Sequence, residues 1–149
     1  MASNNGIDLK TELRELRAAT DIIVMVVPYR TSFRARMDEV RLPKVSCVYE
    51  ISSRGPTFDQ ILSTLESIVN RYDEPKPEVD LRIGLVFRNN GNVLREFYFN
   101  DAGGFANLKG FSGDNRMSGS ADLPDRLRAL LTNQDVVLIR ALRSGCPHV

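Results

Sequence analysis

The chain has 149 residues, 42% of them apolar and 26% charged, with a net charge of +1. That length suits one domain with a sizeable core, and the composition excludes a disordered tail, a collagen-like chain and a coiled coil. A pI of 7.8 falls short of the strongly basic footprint of nucleic-acid-binding domains, and the longest apolar run, the six residues 22–27, is far below the ~20 that span a bilayer.

Taken in chain order, the opening MASNNGID shows no secretory leader pattern, and residues 1–6 read as a frayed tail. Asp8 is a candidate N-cap. Leu9, Leu13 and Leu16 follow at helical spacing and predict an amphipathic helix over 8–19. Residues 22–27 (IIVMVV) are apolar without alternation, which predicts a strand covered on both faces. The Arg-rich stretch 29–43 permits a short helix or turn through Phe33, Met37 and Val40. Val45, Cys47, Tyr49 and Ile51 alternate with polar neighbours and predict a half-exposed strand over 44–52.

Thr57 and Gln60 have capping-box spacing. The stripe Phe58, Ile61, Leu62, Leu65, Ile68, Val69, Tyr72 extends the helix they open to about residue 72. Asp73 to Glu78 reads as an acidic, proline-stiffened connector. Residues 81–88 and 93–99 alternate around Asn89-Asn90-Gly91-Asn92, a β-hairpin signature. Residues 100–121 hold five of the ten glycines without periodicity, and read as a long loop that is functional, as a lid or an interface, or disordered. A helix over 122–131 and a second two-faced apolar strand over 136–139 complete the series, with a loose tail at 143–149. These elements predict a single α+β domain: a mixed, mostly antiparallel sheet of about five strands with three helices packed on it. A strand edge such as 93–99 is open to pairing between subunits.

The single histidine, His148, lies beside the C-terminus, where chains are usually mobile, so no His-based triad, dyad or metal site is expected. Neither a P-loop nor a dinucleotide fingerprint is present. Cys47 and Cys146 are expected as reduced thiols, with Cys47 buried and inert and Cys146 forming no metal site with His148. No cofactor or metal is expected. Glu96, Asp101 and Asp114 are the carboxylates for a small enzyme with the glycine loop as lid. Tyr29 to Arg36, with Phe33, is the stretch for a nucleic-acid-binding alternative.

Protein binding is the favoured reading. Of the twenty basic residues, sixteen are Arg, a side chain suited to interface ion pairs and planar anions. Residues 30–54 carry +3 and residues 57–80 carry −4. Arg34 and Arg36 are candidate partner contacts, together with Asp101, Phe105, Lys109, Phe111, Asp114 and Arg116 from the glycine-rich stretch, where spaced aromatics provide anchors.

The hairpin LRIGLVFRNNGNVLREFYFND, leading into a Gly-rich stretch and a terminal helix and strand, resembles the small cytosolic immunity proteins of bacterial toxin systems, including contact-dependent inhibition systems. The resemblance spans most of residues 7–142. It implies a cytoplasmic, non-catalytic protein whose partner is a toxin. Immunity proteins against nucleases are often acidic, so the charge of +1 departs from that pattern.

Overall fold

The structure is a computed structural model that describes residues 7–8, 10–28, 35–101, 108–142 and 145–147. Among these, nine strands form one sheet. In chain order the elements are β1 (Ile7–Asp8), α1 (Lys10–Leu16), β2 (Asp21–Val26), α2 (Leu42–Val45), β3 (Cys47–Ser52), α3 (Pro56–Leu65), β4 (Val69–Pro75), β5 (Ile83–Asn89), β6 (Asn92–Phe99), β7 (Leu108–Ser112), β8 (Asn115–Gly119), α4 (Leu123–Leu130) and β9 (Val136–Arg140). The strand order is β1-β4-β8-β7-β6-β5-β2-β3-β9, and every neighbouring pair is antiparallel.

The expected mixed sheet of about five strands with three helices is therefore corrected to a nine-stranded antiparallel sheet with four helices among the described residues. Two elements account for most of the difference. Helix α3 ends at Leu65, and Val69 to Pro75, read as more helix and connector, forms β4 between β1 and β8. The supposed loop contains the hairpin β7–β8, turned at Gly113 with φ +60°. Gly110 is needed there, because a Cβ would run into the Tyr98 carbonyl and the Phe99 ring across the ladder.

Other boundaries shift too. Asp8 belongs to β1 and not to a helix cap; of the stretch 29–43, expected to hold a short helix or turn, residues 29–34 lie outside the described set, and the described part turns at Asp38 and enters α2 at Leu42. Strand β6 lies inside the sheet, and β9, expected inside, is an edge strand with Val137 58% and Ile139 52% exposed.

Alternation gives the sheet two unlike faces. Ile22, Val24 and Val26 of β2, Cys47, Tyr49 and Ile51 of β3, Ile83, Leu85 and Phe87 of β5, and Phe97 and Phe99 of β6 join Leu13 and Leu16 of α1, Phe58, Ile61, Leu62 and Leu65 of α3, and Leu123 and Leu127 of α4 in the main core. Phe58, Phe87 and Phe97 stack edge to face, with centroids 6.2 and 5.7 Å apart. Burying each such side chain contributes roughly 1.5–3 kcal/mol. The opposite face carries a smaller cluster of Met25, Val27, Met37, Leu42, Leu81, Tyr98 and Phe111. Gly84 leaves space there, since a Cβ would meet Met25, Tyr98 and Leu42.

The start of α3 shows how distant residues replace a local signal. Its N-cap is Gly55, which has no side chain to offer, and Thr57 does not cap the helix. Asp135 accepts hydrogen bonds from the Thr57 backbone N–H (3.1 Å) and hydroxyl. A Cβ on Gly55 would collide with that carboxylate. Asn133 Nδ2 donates to Thr57 Oγ1 and to Gln60 Oε1 at 3.0 and 2.9 Å, tying α3 to the end of α4.

Cys47 and Cys146 are joined in a disulfide, which overturns the expectation of two reduced thiols. The fold brings together residues 99 apart in sequence, a proximity no local pattern encodes. The tail, expected loose over 143–149, is anchored at residues 145–147: Tyr49 Oη donates to the Pro147 carbonyl and the Leu142 N–H to Cys146 Sγ. Residues 143, 144, 148 and 149 lie outside the described set, as do 1–6.

Candidate functional site

Two connections cross the second face of the sheet: residues 35–45 and residues 76–82. Met37 clips them together, its N–H donating to Asp80 Oδ1 at 2.7 Å and its carbonyl accepting from the Leu81 N–H at 3.0 Å. Between them lies a cleft of about 320 Å³, lined by Arg36, Asp38, Glu39, Lys76, Pro77, Glu78, Val79, Leu81 and Phe111.

Phe111 forms its floor, 4% exposed and 5.5 Å from the Tyr98 ring. Lys76 Nζ stands 4.3 Å from the Phe111 centroid and 2.7 Å from Glu39 Oε1, so one ammonium serves a cation–π contact and an ion pair. Arg36 pairs with Glu78 at 3.0 Å on the exposed rim. The Lys76 hydrogen bond holds Glu39 below the usual carboxylate range, and the Arg41 backbone N–H does the same for Asp38. Burial, reinforced by the bond to Glu96, raises the Tyr98 phenol, which therefore stays neutral as a donor.

The sequence-derived candidates divide accordingly. Arg36 and Phe111 meet in this cleft. Arg116 pairs in register with Phe111 and lies 3.3 Å from Glu74. Lys109 is exposed on β7, and Asp114 is exposed in the β7–β8 turn. Asp101 lies elsewhere: it accepts from Arg128 Nη1 at 2.5 Å, while Arg128 Nη2 donates to the Val27 carbonyl at 3.1 Å. Arg34 and Phe105 fall outside the described residues.

Sequence reading missed Lys76, Glu78, Glu39 and Leu81. The proline-rich run at 73–78 was the available signal, since Pro77 stiffens the cleft wall, but it read as a connector.

Beside the cleft, the second face continues as a partly open aliphatic surface. The registers align Glu96, Val86, Ile23, Glu50 and Val137 in one row across β6, β5, β2, β3 and β9. Ile23, Val48 and Val86 are half-buried against the smaller cluster. Arg88 closes one end with a two-pronged pair to Asp21 at 2.9 and 2.6 Å, which raises the Arg88 pKa. The surface thus mixes aliphatic side chains with Glu50 set among them and the Asp21–Arg88 pair at one end, a combination of apolar and charged groups that suits a protein interface.

The three carboxylates considered for acid–base chemistry have separate partners and settings. Glu96 bonds the Tyr98 hydroxyl, Asp101 bonds Arg128, and Asp114 sits in an exposed turn. No family model matches the chain, and no curated protein or solved structure shows significant similarity to it. No helix among the described residues is long and apolar enough to cross a membrane.

Proposed function

We propose that this chain is a non-catalytic protein-binding module that neutralises a bacterial toxin by docking it on the open face of the sheet. The observation that carries the binding reading is the aliphatic row Val86, Ile23 and Val137, half-buried or exposed, with Glu96 and Glu50 set into it and the Arg36–Lys76 cleft alongside. Aliphatic contact supplies affinity, and the bordering charges steer the encounter and fix orientation. That the partner is a toxin, met in the cytoplasm, rests on the resemblance to immunity proteins.

The test has two stages. The tagged chain captures a stoichiometric partner, and that partner is then expressed alone and together with this chain. The reading expects toxicity alone, rescue on co-expression, and loss of rescue with the double variant Ile23→Lys/Val86→Lys, whose fold is checked by circular dichroism. A non-toxic partner refutes the toxin assignment. Full rescue by the folded double variant refutes the surface.

A further inference from the structure

We infer that residues 145–147 form a redox-gated clasp, which a dithiol reductant opens by cleaving Cys47–Cys146 while the sheet stays folded. The two ends of the disulfide are secured very differently. Cys47 is 0% exposed at the start of β3. Strand β3 pairs with β2 from Cys47 to Ser52 and with β9 on its other side, and Tyr49 and Ile51 anchor it in the main core. It does not depend on the disulfide for its place.

The clasp does. Its other described attachments are the Tyr49 hydroxyl on the Pro147 carbonyl, the Leu142 N–H on Cys146 Sγ, and the half-buried packing of Leu142 and Cys146 on the core. Two of these involve Cys146 itself. A single neutral hydrogen bond makes only a small net contribution, too little to order this stretch against its conformational entropy. The covalent bond is what keeps this turn on the core.

The exchange chemistry is asymmetric in the same way. Cys146 is half-buried and Cys47 fully buried, so the reductant thiolate reaches Cys146 Sγ. The S–S bond breaks, a mixed disulfide forms on Cys146, and Cys47 departs as a thiolate that takes up a proton. The second thiol of the reductant then displaces Cys146, which also gains a proton. Two electrons and two protons pass to the protein, and the reductant leaves as its own disulfide. In a reducing cytoplasm the clasp stands open; a disulfide oxidant, which takes up the two electrons and two protons and leaves as its dithiol, closes it over Tyr49.

Hydrogen exchange read by mass spectrometry on the full oxidised chain, with and without dithiothreitol, tests this, with alkylation counting the thiols. Reduction is expected to speed exchange at Leu142, whose N–H donates to the Cys146 sulfur, by about tenfold or more, while β2, β3 and β5 keep their protection. Cys146→Ser should reproduce the open state without reductant, and reoxidation of the native chain should restore the closed one. Unchanged exchange at Leu142 after both thiols are alkylated would overturn the clasp. So would loss of protection across β2, β3 and β5 in reduced chain and Cys146→Ser alike, which would make the bond a staple of the whole sheet. Two free thiols in protein prepared under oxidising conditions would also overturn it.

Discussion

The Asp101–Arg128 pair offers a sharp energetic test. Both side chains are largely removed from water, 16% and 6% exposed, and stand 2.5 Å apart. Arg128 sits on α4 and also donates to the Val27 carbonyl just beyond β2, so the pair bolts the helix to the sheet. Asp101→Ala takes this carboxylate away from the buried guanidinium. Losing one member of a buried pair costs about 3–5 kcal/mol, a large part of a typical stability of about 5–15 kcal/mol. For a chain of this size the melting temperature should fall by about 6–20 °C. Removing both charges together, as in Asp101→Ala/Arg128→Met, also removes the desolvation penalty, so the double variant should be more stable than Asp101→Ala alone. Urea unfolding monitored by circular dichroism measures both of these and the single variant Arg128→Met. A cost below about 1 kcal/mol for Asp101→Ala, the scale of an exposed pair, or simple additivity in the double variant, refutes the reasoning.

Further outcomes follow from the packing. Asp135→Ala removes the distant cap of α3 and should cost about 1 kcal/mol in urea unfolding. Burial alone would raise the Asp135 pKa, but the Thr57 hydroxyl and N–H outweigh it and the carboxyl sits below its ordinary 3.8. Its contribution is therefore complete above 3.8 and fades as pH falls through the lower folded value; Asp135→Asn should flatten that part of the acid-stability curve, and an unaltered curve counts against the assignment. Met117, 0% exposed on β8, tests the hairpin that replaced the expected loop: Met117→Ala should cost about 2–5 kcal/mol, whereas a mobile lid would lose almost nothing. Phe111→Ala removes the cleft floor and the ring beneath Lys76, and should destabilise by about 3–5 kcal/mol while increasing Lys76 reactivity toward amine-labelling reagents; unchanged labelling would remove Lys76 from the cleft.

Local chemistry determined the elements that carry their own period or turn. The β5–β6 hairpin is legible because alternation runs into Asn90 and Gly91, both at positive φ in the structure. Strand β2 is legible because an unbroken apolar run, β-branched but for Met25, suits a strand covered on both faces, and it does lie inside the sheet. Helix α4 is legible from Pro124 and its leucine stripe. Among candidate contacts, Arg36 and Phe111 were visible as an exposed cation and an apolar anchor in polar surroundings.

Tertiary structure decided the rest wherever a residue's partner lies far away in the chain. Val69 and Tyr72 continue the helical period of α3 and Asp73 to Pro75 looks like a connector, yet pairing with β1 and β8 makes Val69 to Pro75 a strand. The glycines of 108–119 hide a hairpin because Gly110 is required by the neighbouring strand and not by a loop. Thr57 looks like a cap until Asp135 arrives from 78 residues away. Cys47 and Cys146 read as unrelated thiols until the sheet brings β3 beneath the end of the chain. A single sequence records periodicity, turn chemistry and composition; which edges meet, which carboxylate reaches which donor and which sulfurs touch are set only when the whole sheet closes.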